Sequence, residues 1–225
     1  MSNVKLVALT KPSAITDCAT AEEFIAYSAR VSNPTNQNNK ETAQRLVRYL
    51  IREQHWSPFE MVSVTLEIKT TRDISRQIVR HRSFSFQEFS QRYAESKDFT
   101  LRELRLQDDK NRQNSIEVDD EKMQYEWERA QNRVLRQVKI EYENALKSGI
   151  AKEQARALLP EGLTETTLYM AGTLRSWIHY CTLRRDNGTQ KEHRVIAEEC
   201  WDVLKTHFPN VCDVIDQGDS NNASK

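Results

Sequence analysis

The chain has 225 residues, with 33 Lys+Arg against 33 Asp+Glu, 29% charged residues and 38% hydrophobic ones. That length implies one domain with room for a sizeable core. The zero net charge excludes a global field that would select nucleic acid or a membrane surface, so any anion site must be local.

In chain order, residues 4–9 are expected to form a first strand, closed off by Pro12. Residues 21–31 read as a helix with Phe24, Ile25, Ser28 and Val31 on one face, and residues 32–39 (SNPTNQNN) as a polar loop. A second amphipathic helix is expected over residues 41–54, with Leu46, Tyr49 and Leu50 on its apolar side; HWSPFE breaks it at Pro58. Residues 62–68 alternate Val62, Val64, Leu66 and Ile68 with Ser63, Thr65 and Glu67, the pattern of a half-buried strand. Next, TRDISRQIVRHR sets Arg72, Arg76 and Arg80 four apart on one helix face, with Ile74 and Ile78 turned another way. Alone, such a stripe is a solvated basic face. It runs into residues 80–93, RHRSFSFQEFSQRY, which contain no Gly or Pro. Read as extended chain, this segment puts Phe84, Phe86, Glu88, Ser90 and Arg92 on one side. An acceptor, a hydroxyl and a forked donor in line suit a polar anionic ligand with a hydrogen-bonding ring.

Residues 97–120 are polar and charged, and are expected to be a mobile excursion. A long helix follows over residues 121–147, with Trp127, Val134, Leu135, Val138, Tyr142 and Leu146 spaced for one buried stripe, and Ser148-Gly149 ending it. Further elements are a short helix at 152–159 closed by Pro160, a strand at 166–171, and helices at 174–183 and 192–207, the last with Ile196, Cys200, Val203 and Leu204 inward. One domain over residues 1–217 and a disordered tail over 218–225 (GDSNNASK) complete the expectation.

Several chemistries are disfavoured. The five glycines allow neither GxGxxG nor GxxxxGK[ST], so a Rossmann fold or P-loop is not expected. Cys18, Cys181, Cys200 and Cys212 form no CxxC pair and no disulfide framework. His193, Cys200 and His207 share a helix face, but two turns separate neighbours by roughly 10.5 Å, too far for bonds of about 2 Å to one ion; no metal is expected. No apolar run approaches the ~20 residues of a membrane span, and the N-terminus lacks an apolar signal core. A soluble, cytoplasmic protein is therefore expected.

RHRSFSFQEFSQR resembles the signature of flavin-dependent thymidylate synthases (the ThyX family), RHRxxSxNxxSxR. The matching residues are Arg80, His81, Arg82, Ser85, Ser90 and Arg92, and Gln87 stands where the pattern has Asn. Three other blocks match in order: HWSPFE with His55 and Ser57, ARALLP with Arg156, and LRSWIHYCTLRRDNGTQKEHR with Arg175, His179, Arg184, Gln190 and Glu192. Position 173 is Thr where several relatives carry Asn.

The resemblance implies a mixed α/β (α+β) protomer, a central sheet flanked by helices. It implies methylation of dUMP to dTMP, with methylenetetrahydrofolate giving the carbon and FAD carrying hydride from NADPH. It further implies a homotetramer with ligands where subunits meet, and no nucleic-acid partner. Carried over by match, Gln77, Arg80, Glu88, Ser90, Gln91, Arg92, Arg156 and Arg184 contact dUMP, Arg184 catalytically. His55, Ser57, Arg80, His81, Arg82, Glu88, Thr173, Leu174, Arg175 and His179 contact FAD. Without the family, Arg156 and Arg184 read as helix-end cations, His179 as an ordinary helix residue, and Trp177 and Tyr180 as core. Two other classes compete. One is a single-strand-binding module using the arginines and Phe84, Phe86 and Phe89, which steep salt-dependent oligonucleotide binding would reveal. The other is an inactive structural relative, against which Ser90, Arg92, Arg156 and Arg184 speak.

Overall fold

A computed structural model describes residues 3–222, with side chains described up to residue 218. Four antiparallel strands form the main sheet in the order β1-β2-β6-β3: β1 is Val4–Leu9, β2 Ser63–Thr71, β3 Ser85–Glu88 and β6 Glu165–Thr173. β2 and β6 pair along their whole length, Ser63 opposite Thr173 and Thr71 opposite Glu165. Their alternation sends Val64, Leu66, Ile68, Leu168 and Met170 to one fully buried face. Burial of such side chains stabilises by about 1.5–3 kcal/mol each, so this face determines the register.

Helix α1 (Ala21–Ala29) starts at Thr20, whose hydroxyl accepts from Glu23 N–H at 3.1 Å. Helix α2 spans Ala43–Arg52, helix α3 Arg72–Ile78, and α4 Glu121–Lys147. Helix α5 is Lys152–Ala155, continued by a 3-10 turn at Arg156–Leu158. Helix α6 spans Leu174–Arg184, α7 Lys191–His207 and α8 Pro209–Asn222. Among the described residues no helix is long and apolar enough to cross a membrane.

The two central strands feed their helices without a loop. Thr71 ends β2 and Arg72 opens α3; Thr173 ends β6, and its hydroxyl caps α6 by accepting from Ser176 N–H at 3.3 Å. Because the strands are antiparallel, α3 and α6 start at opposite ends of the sheet. Strand β3 returns along β6, with Phe84 packed edge-on against Trp177 at 4.8 Å. Phe84 occupies the space above Gly172, where a Cβ would lie well inside van der Waals contact with its ring. Gly172→Ala is expected to lower the melting temperature, since overpacking costs about 1–3 kcal/mol; an unchanged value would contradict this packing.

Several expectations need correction. The tail is helical as far as it is described: α8 continues through Gly218 to Asn222, and residues 223–225 lie outside the described residues. Residues 97–120 contain structure, a hairpin of β4 (Arg105–Gln107) and β5 (Ser115–Glu117) and a bridge between Phe99 and Thr164. Its base is held by Arg102, which donates to Gly162 O at 3.0 Å and Asp73 Oδ1 at 2.7 Å, while Gln131 Oε1 accepts from Arg102 N–H at 2.7 Å. Arg72 is buried rather than solvated. Val31 and Tyr49 are exposed; Ile25 and Ala26 carry the α1 core face, and Val47, Leu50 and Ile51 that of α2. On α4 only Gln131, Leu135 and Tyr142 are buried, while Trp127 and Val134 face outward. Within residues 80–93, only Ser85–Glu88 is strand.

Candidate active site

A cleft of about 1920 Å³ opens between α2, α6 and α8. The first turns of α6 bring Thr173, Arg175 and His179 to its lining, and Ser83 joins them from the signature segment. Across from them stand Arg45, Arg48 and Arg52 of α2, spaced for one helix face. With Arg30, the lining holds five arginines and a single carboxylate, Glu60, which is ion-paired with Arg175. Arg45 and Arg48 find no carboxylate partner among the described residues. Leu46, Ile51, Trp56 and Ile178 supply apolar wall. Gln54 adopts a left-handed conformation (φ 56°), and the N–H of the next residue, His55, turns back to Leu50 O at 2.8 Å. This ends α2 and sets His55 edge-on to Tyr49 of the cleft wall. Ser57 opens the 3-10 turn that follows.

A second group lies where α3, α6 and α7 meet. Arg184 Nε–H donates to His81 Nε2 at 2.9 Å, and the His81 ring stands edge-on to Tyr180 at 4.9 Å. Burial, the Arg184 charge and the other nearby cations hold His81 down to about 4. Its ring is therefore neutral, with the proton on Nδ1. His193, fully buried, is held down to about 3 by burial and by the charge of Arg184. Below pH ~6.5 the unfolded chain takes up protons that these rings refuse. Acid therefore weakens the fold progressively down to the folded values. Gln77 reaches His193 Nδ1 through Oε1 at 3.3 Å.

The third group surrounds α5. Arg92 Nε pairs with Glu153 Oε2 at 3.0 Å, and Arg156 Nε–H donates to Glu153 O at 3.2 Å. Both guanidinium groups thus converge on one residue, with Ser90 Oγ accepting from Arg92 N–H at 3.4 Å. Gln91 is buried and donates to Ser96 Oγ at 3.0 Å. This group shares no hydrogen bond or ion pair with the Gln77–His81–Arg184 group among the described residues.

Leu174 and Glu88 are both engaged within the protomer. Leu174 is core, with its N–H given to Val62 O at 2.8 Å. Glu88 accepts from Ser75 Oγ at 2.8 Å and Thr166 Oγ1 at 3.0 Å, and pairs with Arg72 and Arg76 at 3.5 Å each. It anchors β3 to α3 and β6. Arg80 and Arg82 are exposed between these groups in the chain. Tyr180, read as plain core, and His193 were not expected near the site. The spacing of His193 three residues after Gln190 carries no signal without the fold.

Residues 14–210 match the family described as thymidylate synthase complementing protein. The chain is 49% identical over 215 residues to a probable flavin-dependent thymidylate synthase of Paramecium bursaria Chlorella virus 1, covering 95% of this chain and 99% of the relative. It is 50% identical over 211 residues to the flavin-dependent thymidylate synthase of Synechocystis sp., covering 93% and 97%. The crystal structure of a UMP/dUMP methylase, PolB from Streptomyces cacaoi bound with 5-Br dUMP, superposes with a TM-score of 0.81 at 28% identity, covering 95% of this chain and 94% of that one. The chain belongs to the flavin-dependent thymidylate synthase family.

Proposed function

We propose that this protein methylates dUMP to dTMP, taking the carbon from methylenetetrahydrofolate and hydride from NADPH by way of FAD. The observation that carries this reading is the cleft: five arginines against one paired glutamate, joined to an apolar wall. A dinucleotide needs cations for its diphosphate and an apolar surface for its ring, and this chain has no glycine-rich turn to offer instead. The donor set fits FAD. Thr173, Arg175 and His179 would hold it from α6, and His55, Ser57, His81 and the exposed Arg80 and Arg82 from the neighbouring segments; Glu88 would act by fixing β3. When bound, the flavin supplies the hydride step.

The remaining chemistry belongs to side chains. Arg92 and Arg156 neutralise the dUMP phosphate, a task suited to paired guanidinium groups, with Ser90 and Gln91 shaping that end. Gln77 and Arg184 orient the uracil, and Arg184 stabilises negative charge developing on the ring. Raising a methylene carbon to methyl takes two electrons. If NADPH supplies them, the folate leaves as tetrahydrofolate. The lack of any hydrogen bond or ion pair joining the Arg92 and Arg184 groups among the described residues supports sites completed by a neighbouring subunit. So do the outward-facing Tyr125, Trp127, Val134 and Ile140 of α4, a helix that the protomer covers only along its Leu135–Tyr142 seam. A homotetramer is the proposed assembly.

A nucleophilic cysteine requires a cationic, partly exposed setting within the site; Cys18 is partly exposed but lies before α1 and does not line the cleft. Cys181 and Cys200 are fully buried, and burial pushes both thiols up; burial likewise raises Cys212 to about 12. Replacing all four cysteines by Ala or Ser is expected to leave dTMP synthesis within about tenfold, near 1.4 kcal/mol in barrier. Abolished methylation in Cys181→Ala, with FAD and dUMP still bound, would contradict a sulfur-free route.

The reading as a whole is tested by the visible spectrum of the purified protein, before and after added FAD, followed by NADPH oxidation with and without dUMP. A flavin spectrum and dUMP-dependent oxidation are expected. Protein that stays colourless and does not quench added FAD would sink the proposal.

A further inference from the structure

An unbroken hydrogen-bonded chain links α6, α7 and α3. Tyr180 Oη lies 3.1 Å from His193 Nε2, and His193 Nδ1 lies 3.3 Å from Gln77 Oε1. Gln77 Nε2 lies 2.7 Å from Gln190 Oε1, and Gln190 Nε2 lies 2.9 Å from Glu192 Oε2. Glu192 is fixed at the far end by Arg105, to which it is ion-paired, and by Arg102 Nη1 at 3.4 Å.

The direction of this chain follows from its end. Burial raises the Glu192 carboxyl, but the Arg105 hydrogen bond and the other donors outweigh it and leave the group at about 2. An ionised carboxylate only accepts, so Gln190 must turn its NH₂ toward Glu192 and its oxygen toward Gln77. Gln77 must then give its NH₂ to Gln190 and its oxygen to His193. His193 must carry its proton on Nδ1, and its bare Nε2 accepts from the Tyr180 hydroxyl. Each amide and ring has one orientation consistent with the Glu192 charge, which lies one group from Gln190, two from Gln77 and three from His193. The second N–H of Gln77 Nε2 remains a donor on a half-buried side chain. Tyr180, at the other end, is the ring against which His81 stands while it accepts from Arg184.

We propose that His193 is a positioning residue for nucleotide recognition: by donating Nδ1–H to Gln77 Oε1 it completes the hold that Glu192 and Gln190 place on the Gln77 amide, so that the amide N–H, and not its carbonyl, is offered to an acceptor of the pyrimidine nucleotide. This rests on the reading that Gln77 faces dUMP. The unusual feature is the ring itself, because a free neutral imidazole favours the proton on Nε2 and the chain demands it on Nδ1.

The first test is ¹⁵N NMR of histidine-labelled full-length protein, with the His193 signals assigned by their loss in His193→Phe. The expected result is a neutral Nδ1–H ring with an unprotonated Nε2. An Nε2–H ring reverses the polarity of the chain and overturns the proposal, whether or not any ligand binds. The second test is a kinetic cycle. His193→Phe is expected to raise KM for dUMP by about tenfold with kcat little changed, the pattern of lost uniform binding. His193→Asn, whose amide N–H sits where Nδ1–H does, should restore most of it. In a Gln77→Ala background, His193→Phe should add nothing, since residues acting through one another are non-additive. An additive effect, or equal loss in the Phe and Asn variants, assigns His193 a packing role and overturns the proposal. Absence of dUMP turnover by the unmodified enzyme overturns the functional reading and the nucleotide role with it. Normal turnover with an additive cycle overturns the role of His193 alone.

Discussion

Arg184→Ala is expected to lower kcat for dTMP formation by about 10²–10³-fold, or roughly 2.7–4 kcal/mol in barrier, the usual cost of removing one group aimed at charge that appears in the transition state. The structure adds a second signature. Arg184 Nε–H is the donor to His81 Nε2, and its charge is, after burial, the main influence holding His81 down to about 4. Without it, the His81 titration should move upward while burial keeps it below the ordinary histidine value. Loss of turnover with an unmoved His81 titration would mean that the pair is not formed in solution. Retained turnover would remove Arg184 from the chemistry.

Arg92→Ala should act on binding instead. Among the described residues its only ion pair is with Glu153, and the Arg92 side chain is 61% exposed. Such a surface pair contributes about 0–1 kcal/mol, so the melting temperature should barely change. If the guanidinium meets the dUMP phosphate in a desolvated site, its loss costs about 2–5 kcal/mol, a drop in dUMP affinity of roughly 30-fold to several thousand-fold. Flavin content should stay near that of the unmodified protein, because Arg92 is grouped with Arg156 and Ser90, and not with the residues of the cleft. Calorimetry with dUMP and the flavin absorbance of the same samples separate these outcomes. Normal dUMP affinity, or an equal loss of flavin, would show the grouping to be wrong.

Much of this arrangement is legible in the residues, for identifiable reasons. Strands β2 and β6 and helices α6 and α7 carry alternating or helical apolar patterns that end in burial, and each lies within a few residues of its expected bounds. The polar positions of the signature are likewise visible, because arginines, serines and a histidine at fixed spacing have few structural uses. What was missed depends on partners distant in sequence. The β4–β5 hairpin has one apolar pair, Leu106 opposite Ile116, among polar residues, and its base is stabilised by Arg102 reaching Asp73 and by Arg105 reaching Glu192, contacts 29 and 87 positions away. Arg72 reads as a solvated cation until Glu88, on another element, comes within 3.5 Å. Trp127 and Val134 fit a helical stripe, yet the protomer offers α4 a narrow seam, so the periodicity records an apolar face without saying what covers it. The Tyr180–His193–Gln77 connection joins three helices and has no local trace.

The central claim is that dUMP is methylated with electrons delivered through a flavin, on a protein that uses no thiol. It is tested most directly by stoichiometry: purified protein, FAD, dUMP, methylenetetrahydrofolate and NADPH incubated without oxygen, with nucleotide and folate products separated by chromatography. The account predicts one dTMP and one tetrahydrofolate for each NADPH consumed. dTMP accompanied by dihydrofolate and unconsumed NADPH, or no dTMP from flavin-loaded protein, would contradict it.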